Sequence, residues 1–260
     1  MIDTHAHLHF TDAFTDALST LNRAHEAGVD TIINVGVTPD DSRRALAFAQ
    51  KPEYSVRATG VRLYATAGLH PHEAGAGDTA LDAIADLAEE VVAIGECGLD
   101  YYRNLATKSE QDRALRAQIE IALEHHLPLI FHVRDAWSDF FAVLRDYPEA
   151  GGVIHSFTGT QAEVETALEH PGELFFGLNG IMTFTKDEAQ LVAAKLIPAE
   201  RLLVETDCPY LAPVPYRGKR NEPAYIPAIV EFLATLRGVD VDKLAHQTDH
   251  NAEQLFGINL

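Results

Sequence analysis

The sequence lacks the features that mark secreted, disulfide-stabilised or membrane-spanning proteins. It contains 2 cysteines, Cys97 and Cys208, which are far apart and outside any CxxC pattern, so neither a disulfide framework nor a cysteine metal clip is expected. No uninterrupted apolar run approaches the roughly 18 residues needed to span a bilayer. The segment after Met1 is not a basic and then apolar leader. We therefore expect a cytoplasmic protein that does not engage a membrane.

Positive charge is also scarce. Lysine and arginine together number 20 against 39 aspartates and glutamates, which gives a formal net charge of -19. Broad binding to duplex nucleic acid requires a basic face that displaces counterions, and a surface of this sign works against it. The balance argues against a general duplex-binding protein, but it allows a nucleic-acid substrate that is held locally at a metal site. No feature of the sequence indicates an obligate protein partner.

The chain is rich in apolar runs of strand length that alternate with amphipathic segments of helical length. Continuous apolar strands followed by helices indicate parallel strands covered on both faces. We predict one domain over residues 1–260, with an α/β fold: a single (β/α)8 TIM barrel with extra C-terminal helices near Ile226–Arg237 and Asp242–Phe256. The predicted strands are Ile2–Leu8, Thr31–Val37, Leu63–Leu69, Val91–Gly95, Leu129–Val133, Val153–Ser156, Leu174–Leu178 and Leu202–Thr206.

A doubly wound open sheet is the alternative architecture. It predicts a glycine-rich phosphate-binding turn directly after the first strand. Here the first strand runs instead into His5-Ala6-His7. The barrel is therefore the favoured fold.

Residue types that bind metals recur at the carboxyl ends of the predicted strands, where a barrel carries its active site. His5 and His7 stand at positions i and i+2 of the first strand, so both point to the same side. A single histidine there is more often a hydrogen-bonded core residue. Several such groups together indicate a metal site, because each follows an apolar run in which an unpartnered polar side chain is costly. The candidate ligands are His5, His7, Glu96, His132, His155 and Asp207.

These residues lie in motifs through which the chain resembles the TatD family of metal-dependent deoxyribonucleases, within the wider amidohydrolase-like barrels. The motifs run in family order from residue 3 to residue 223, so the resemblance covers nearly the whole chain. In His9 the chain departs from the acidic residue that the family often has there, and its net charge is unusually acidic for such a protein. The motifs are Asp3-Thr4-His5-Ala6-His7-Leu8, Gly68-Leu69-His70-Pro71-His72, Gly95-Glu96-Cys97-Gly98-Leu99-Asp100-Tyr101-Tyr102, His132-Val133-Arg134-Asp135-Ala136, His155-Ser156-Phe157-Thr158-Gly159, Glu205-Thr206-Asp207-Cys208-Pro209-Tyr210-Leu211 and Arg217-Gly218-Lys219-Arg220-Asn221-Glu222-Pro223.

The resemblance implies two divalent metal ions. Many related barrels bridge their metals with a modified lysine, but no lysine stands at these strand ends, so Glu96 is expected to bridge as a plain carboxylate. Imidazole ligands favour Zn²⁺ or Mn²⁺, whereas the family is often described as magnesium-activated, so Mg, Mn and Zn all stay open. The implied ligands are His5, His7, Glu96 and Asp207 for one ion, and Glu96, His132 and His155 for the other.

The expected chemistry is hydrolysis of a phosphodiester. Two divalent ions, two carboxylates and a bridging hydroxide leave a net charge of about +1, which suits an anionic phosphate better than a neutral amide. The hydroxide that bridges the metals would attack, with Glu96 and Asp207 as catalytic residues and Asp207 as the proton shuttle. The expected substrate is a DNA or RNA end, preferably single-stranded, with 3′ to 5′ polarity as the resemblance suggests. The alternative is hydrolysis of a carboxylic ester or amide, such as an aminoacyl ester on tRNA, or of a small phosphodiester.

Further residues are candidates for binding the substrate. Two histidines end the third strand, and three basic residues lie on the loop after the eighth strand, where barrels often bind phosphate. Tyr101, Tyr102 and Arg103 follow Glu96 at the mouth, where they could stack on a terminal base or contact a phosphate. Ordinary loop packing and solvated charge are the alternative for all of these positions. The candidates are His70, His72, Arg103, Arg217, Lys219 and Arg220.

Overall fold

The computed structural model describes residues 1–258. Within that range, eight parallel strands form the centre of the fold, and all eight predicted strands are present. They are β1 (Ile2–Ala6), β2 (Thr31–Asn34), β3 (Arg62–Ala65), β4 (Ile94–Asp100), β5 (Leu129–Arg134), β6 (Gly152–Ile154), β7 (Leu174–Leu178) and β8 (Leu202–Val204).

The strands close into a barrel in chain order. Regular ladders join β1 to β2 and β3, and β4 through to β8. Isolated parallel bridges connect these two groups, Ala67 with Ile94 on one side and Ala6 with Cys208 on the other. Because every strand has a parallel neighbour on both sides, their carboxyl ends meet at one mouth. The predicted (β/α)8 barrel is confirmed.

Helices follow the strands and cover the outside of the barrel. Most begin at a side chain that accepts a hydrogen bond from the first turn; Thr107 and Thr160 form reciprocal capping boxes with Glu110 and Glu163. None of the helices in residues 1–258 combines the length and hydrophobicity that crossing a membrane requires. The helices are α1 (Ala17–Glu26), α2 (Pro39–Ala49), α3 (Val56–Thr59), α4 (Asp78–Ala85), α5 (Lys108–Glu124), α6 (Trp137–Asp146), α7 (Gln161–Leu168), α8 (Glu188–Leu196), α9 (Ile226–Arg237) and α10 (Val241–Phe256).

Both predicted C-terminal helices exist, but they occupy different positions. Helix α9 follows β8 and packs beside α8, so it is the eighth helix of the outer ring. Helix α10 instead lies across the amino ends of the strands. Its Asp249 Oδ1 accepts the Ile2 backbone N–H at 2.8 Å, and Asn251 Nδ2 donates to the Leu202 carbonyl at 2.8 Å. Of these two helices, only α10 is an addition to the barrel.

The apolar core has two layers. Residues from opposite sides of the barrel, including Ile33, Ile130, Phe175 and Leu203, pack into one buried cluster that also contains Phe256 of α10. Contacts among strands that are not neighbours require these side chains to fill the barrel interior. A larger cluster lies between the strands and the outer helices. The interior is therefore filled and closed at the α10 end, which leaves the opposite mouth for polar groups.

Strand β4 extends further than the sequence predicted. The prediction ended it at Gly95, whereas it runs to Asp100 and pairs with β5 as far as Arg134. Gly98 makes the extension possible, because a Cβ at this position would lie 2.0 Å from the His132 carbonyl oxygen. The longer strand carries two carboxylates, Glu96 and Asp100, to the mouth of the barrel.

Candidate metal centre

The six predicted ligands come together at the carboxyl-terminal mouth. They reach it from β1 and the residue directly after it, from β4 and β5, from the residue directly after β6, and from the turn after β8. Asp207 has a left-handed backbone, with φ of 56°, a conformation that aspartate adopts more readily than most residues. Its backbone N–H donates to the His5 carbonyl at 2.8 Å, so the turn after β8 is fixed to β1. Strand-end placement thus brings together His5, His7, Glu96, His132, His155 and Asp207.

Glu96 lies at the centre of this cluster. Its Oε2 is 3.5 Å from His5 Nε2, while its Oε1 is 2.7 Å from His132 Nδ1 and 2.9 Å from His155 Nε2. His70 Nε2 approaches the same Oε1 at 3.3 Å. The two oxygens of one carboxylate therefore face two different groups of imidazoles. This is the arrangement that a bridging ligand requires.

The second group lies around Asp207. His5 Nε2 and His7 Nε2 are 3.3 Å apart, and Asp207 Oδ1 is 3.8 Å and 3.6 Å from them. His7 Nδ1 is 2.8 Å from the Val35 carbonyl oxygen, which fixes the ring so that Nε2 points into the cluster. The Nε2 atoms of His5 and His7 and the Oδ1 atom of Asp207 thus converge on one point, as the ligands of a metal ion would.

Two further carboxylates contact the outer sides of the histidines. Asp100 Oδ2 lies 3.3 Å from His132 Nε2, and Glu205 Oε1 lies 3.3 Å from His155 Nδ1. Neither residue was predicted to belong to the site. Asp100 lies beyond the predicted end of β4, but its position in the same motif as Glu96 could have indicated a place in the site. Glu205 directly follows β8 and stands two residues before the predicted ligand Asp207, and a buried acidic residue needs a partner.

A buried aspartate also joins the first and last strands beneath the cluster. Asp3 accepts hydrogen bonds from the Thr206 backbone N–H at 2.9 Å and from its hydroxyl at 2.6 Å. Burial raises the pKa of Asp3 to about 7 against these hydrogen bonds. The contact holds the strand that carries His5 beside the turn that carries Asp207.

The cluster stabilises positive charge next to ionised carboxylates. Burial opposes ionisation of Glu96, but His155 and His70 hold the pKa of Glu96 well below its usual range. Burial likewise disfavours a charged His155, yet Glu96 and Glu205 raise the pKa of His155 well above its ordinary value. Burial is the main reason that the pKa of His70 falls to about 4. An ionised Glu96 therefore faces the imidazoles at the centre of the mouth.

The donor set fits divalent cations. Among the described residues, buried His5 Nδ1, His155 Nδ1 and Glu205 Oε2 have no hydrogen-bond partner, although His155 Nδ1 and Glu205 are close in space. A buried polar atom without a partner calls for an explanation, and a bound ion or water molecule is one. Imidazole nitrogens and carboxylate oxygens suit Zn²⁺, Mn²⁺ or Mg²⁺. Three sets of ligand atoms lie within 4.8 Å of one another: His5, His7 and Glu96; His5, His155 and Glu205; and His70, Glu96 and His132.

The candidates for substrate binding fall into two groups. The two histidines after β3 join the metal cluster, since His70 faces Glu96 and His72 Nε2 lies 2.8 Å from Asp100 Oδ2. The arginines after β8 have protein partners. Arg217 stacks on the Phe184 ring at 3.7 Å, and Arg220 bonds the Ala13 carbonyl and packs over Phe14.

The remaining basic candidates are exposed. Lys219 lies 5.7 Å from the Tyr216 ring, and the Arg103 backbone N–H donates to Asp100 Oδ1 at 2.9 Å. The Lys219 contact is made by its ammonium group, whereas the Arg103 contact is made by its backbone. Both stay predictions as substrate contacts.

His9, which stands where the family often has an acidic residue, forms a contact with an aspartate. His9 is buried, and its Nε2 lies 3.0 Å from Asp41 Oδ2 on α2. Asp41 also accepts from the Val37 backbone N–H at 3.1 Å and from Arg44 at 2.8 Å. A buried pair of His9 and Asp41 therefore stands at this position.

The barrel and its cluster of imidazoles and carboxylates define a metal-dependent hydrolase. A family profile described as TatD related DNase matches residues 2–257. The chain belongs to this family, as the resemblance in the sequence predicted.

Relatives of established sequence similarity extend over the whole chain. The chain is 40% identical to a protein of Citrobacter rodentium (strain ICC168) named 3'-5' ssDNA/RNA exonuclease TatD, with 100% of this chain and 99% of the relative covered. It is 37% identical to a protein of Bacillus subtilis (strain 168) named uncharacterized metal-dependent hydrolase YabD, with 100% of both covered. The crystal structure of YJJV, a TatD homolog from Escherichia coli k12, is similar with a TM-score of 0.88 and 28% identity, covering 100% of this chain and 98% of that one.

Proposed function

We propose that this protein is a divalent-metal-dependent exonuclease that removes nucleotides from the ends of single-stranded DNA or RNA. One observation carries the proposal: the Glu96 carboxylate presents one oxygen to His5 and the other to His132 and His155. Such a carboxylate can bind two cations side by side, the arrangement that suits displacement at a phosphodiester. The name of the Citrobacter rodentium relative supports the choice of substrate and the 3′ to 5′ direction.

The proposed site holds two ions. Glu96 would bridge them, since it alone of the six ligands faces both groups of imidazoles. When bound, the ions would acidify a water molecule, orient the phosphate and stabilise charge on the leaving oxygen. Mn²⁺ and Zn²⁺ match the nitrogen-rich ligand set, and Mg²⁺ stays open. The proposed ligands are His5, His7, Glu96 and Asp207 for one ion, and Glu96, His132 and His155 for the other.

The two catalytic carboxylates would have different tasks because their exposure differs. The Glu96 side chain is 5% exposed and enclosed by imidazoles, so it would hold the ions rather than exchange protons. The Asp207 side chain is 16% exposed and faces the mouth, where it would accept the proton from the attacking water. Its Oδ1, beside His5 and His7, would face both a ligand and the solvent. Asp207 is thus the proposed proton shuttle.

The shape and charge of the molecule favour strand ends. The site lies at the mouth of a filled barrel, which admits the end of a strand more readily than the interior of a duplex. A net charge of -19 repels extended polyanions outside the site. Both cysteines are unpaired and buried, in keeping with a reducing compartment, so we propose a cytoplasmic location.

A substrate panel tests the proposal. The protein, loaded with Mg²⁺, Mn²⁺ or Zn²⁺, is given 5′- and 3′-labelled single-stranded oligonucleotides, closed circular duplex, a small phosphodiester and an aminoacyl ester. We expect stepwise shortening of the oligonucleotides from the 3′ end, with little cutting of the circle. Faster turnover of the aminoacyl ester than of any phosphodiester would establish the alternative hydrolase instead. Equal cutting of circle and oligonucleotide would contradict the preference for ends.

A further inference from the structure

A largely exposed aromatic ring lies in the loop that Asp100 joins to the candidate metal centre. Tyr102, in the loop after β4, is 60% exposed. The guanidinium carbon of Arg134, at the end of β5, lies 3.8 Å from the centre of the ring. A cation over one face polarises the ring, and the exposure of the side chain shows that much of it stays in contact with solvent. The ring is therefore available to stack on a planar group.

The backbone beneath this ring is fixed to the metal centre. The N–H groups of Tyr102 and Arg103 both donate to Asp100 Oδ1 at 2.9 Å, while Asp100 Oδ2 contacts His132 Nε2. Asn104 Nδ2 also closes the loop by donating to the Tyr101 carbonyl at 2.7 Å. One carboxylate thus connects the loop that bears the ring to a proposed metal ligand. A group stacked on Tyr102 would be held at a defined position relative to the metals.

Basic and aromatic side chains lie around the ring, together with Asp139, which accepts a hydrogen bond from the Tyr101 hydroxyl at 2.8 Å. Lys108 lies 3.7 Å from the centre of the neighbouring Tyr101 ring, and the exposed side chains of Arg103 and Arg134 add two more positive charges. Alternation of aromatic rings and cations is how proteins bind single-stranded nucleic acid, since rings stack on bases and cations contact phosphates. No comparable stacking group is needed to bind a small phosphodiester.

We propose that Tyr102, supported by Arg134, is a stacking site for a base near the 3′ end of the substrate. The site would hold the strand by its base while the adjoining phosphate enters the metal centre. It would act on any base, because every base offers a planar face, and so would favour strands with unpaired ends. This inference rests on the proposed exonuclease function and adds that the enzyme binds its substrate through a base near the 3′ end.

The test compares Tyr102→Ala with Tyr102→Phe and with Leu105→Ala. Leu105 is a matched control, since it lies in the same loop and is 67% exposed but has no ring. The substrates are single-stranded oligonucleotides and methyl p-nitrophenyl phosphate. A further set of the same oligonucleotides carries a single abasic site at the first, second or third position from the 3′ end. Binding of the oligonucleotides is followed in parallel by fluorescence anisotropy, so that the site is tested even without turnover.

We expect Tyr102→Ala to raise KM and Kd for the intact oligonucleotide on the order of tenfold. Turnover of the small diester should stay within about twofold of wild type, and Tyr102→Phe and Leu105→Ala should behave as wild type. For wild type, an abasic site at one of the three positions should raise KM and Kd by a similar factor. For Tyr102→Ala, the same abasic site should cause no further increase, because the stacking partner is already absent.

The outcomes separate this inference from the proposed function. If wild type shortens oligonucleotides and Tyr102→Ala does so equally, or still discriminates against the abasic site, the stacking site is wrong while the exonuclease stands. If wild type hydrolyses the small diester but neither binds nor shortens any oligonucleotide, the exonuclease and the stacking site both fail. Loss of activity on the small diester in Tyr102→Ala would also overturn the inference, since it would show disruption of the metal centre.

Discussion

Replacing Asp100 by asparagine should impair metal binding through the ring of His132. Asp100 has two tasks: Oδ1 accepts the Tyr102 and Arg103 N–H groups at 2.9 Å, and Oδ2 lies 2.8 Å from His72 Nε2 and 3.3 Å from His132 Nε2. Burial opposes its ionisation, but hydrogen bonds from His132, Arg103 and His72 hold the pKa of Asp100 far below its usual value. The wild-type carboxylate is therefore ionised and accepts hydrogen bonds on both oxygens.

Asparagine has the same shape but only one acceptor oxygen. That oxygen would be retained by the two backbone N–H groups, which turns the NH₂ group toward the histidines. Facing a donor, His132 Nε2 would have to become an acceptor, and the ring proton would move to Nδ1. Nδ1 is the atom that lies 2.7 Å from Glu96 Oε1, on the side of the proposed ion. The substitution thus places a proton where the metal should bind.

Loss of such a supporting carboxylate commonly costs about 10- to 100-fold in metal affinity or activity. We expect a loss in this range for Mn²⁺ affinity of Asp100→Asn, measured by titration of the metal-free protein, with partial recovery of turnover at high Mn²⁺. Asp139→Asn is the matched control, because Asp139 also accepts a bond near this loop, from the Tyr101 hydroxyl at 2.8 Å, but touches no proposed ligand. Mn²⁺ affinity within twofold of wild type in Asp100→Asn would refute the reasoning.

Three further outcomes are expected. Asp207→Asn should fold normally but lower kcat about a hundredfold or more, because the proposed proton acceptor is lost. Steady-state assays at saturating metal measure this effect. Undiminished turnover would exclude Asp207 as the proton acceptor. Removing the metal with a chelator should abolish turnover and lower Tm, because the ions bind only the folded chain. Activity assays and calorimetry before and after Mn²⁺ is added back test this prediction. An unchanged Tm with retained activity would contradict it. Phe256→Ala should reduce the free energy of unfolding by about 3 kcal/mol, measured in denaturant, without changing Mn²⁺ affinity, since α10 closes the end of the barrel opposite the site. A weakened metal site in that variant would instead connect α10 to the mouth.

Much of the fold was predictable because its signals are local. Each strand is part of a short apolar run, and most helices begin at a capping side chain, so the eight units and the barrel follow from neighbouring residues. The clustering of the predicted ligands was predictable for a related reason: parallel strands in a barrel place all their carboxyl ends at one mouth. Only the resemblance indicated how the ligands divide between two ions, and the position of Glu96 between the two histidine groups is in keeping with it.

The remaining features depend on contacts between distant parts of the chain. The extension of β4 to Asp100 relies on close packing of Gly98 against His132, which no local pattern shows. The partner of His9 is Asp41, on a different element, so the departure at position 9 could not be interpreted from its own motif. Similarly, the amphipathic pattern of α10 predicts a helix but not that it covers the amino ends of the strands.

The most direct test of the account is the number of ions that the active enzyme needs. Metal-free protein is titrated with Mn²⁺, and bound metal and the shortening of a single-stranded oligonucleotide are measured at every step. The account predicts two bound ions per chain and turnover that rises as the second site fills, with both lost in Glu96→Ala. Full turnover with one bound ion, or two bound ions without turnover on any phosphodiester, would contradict it.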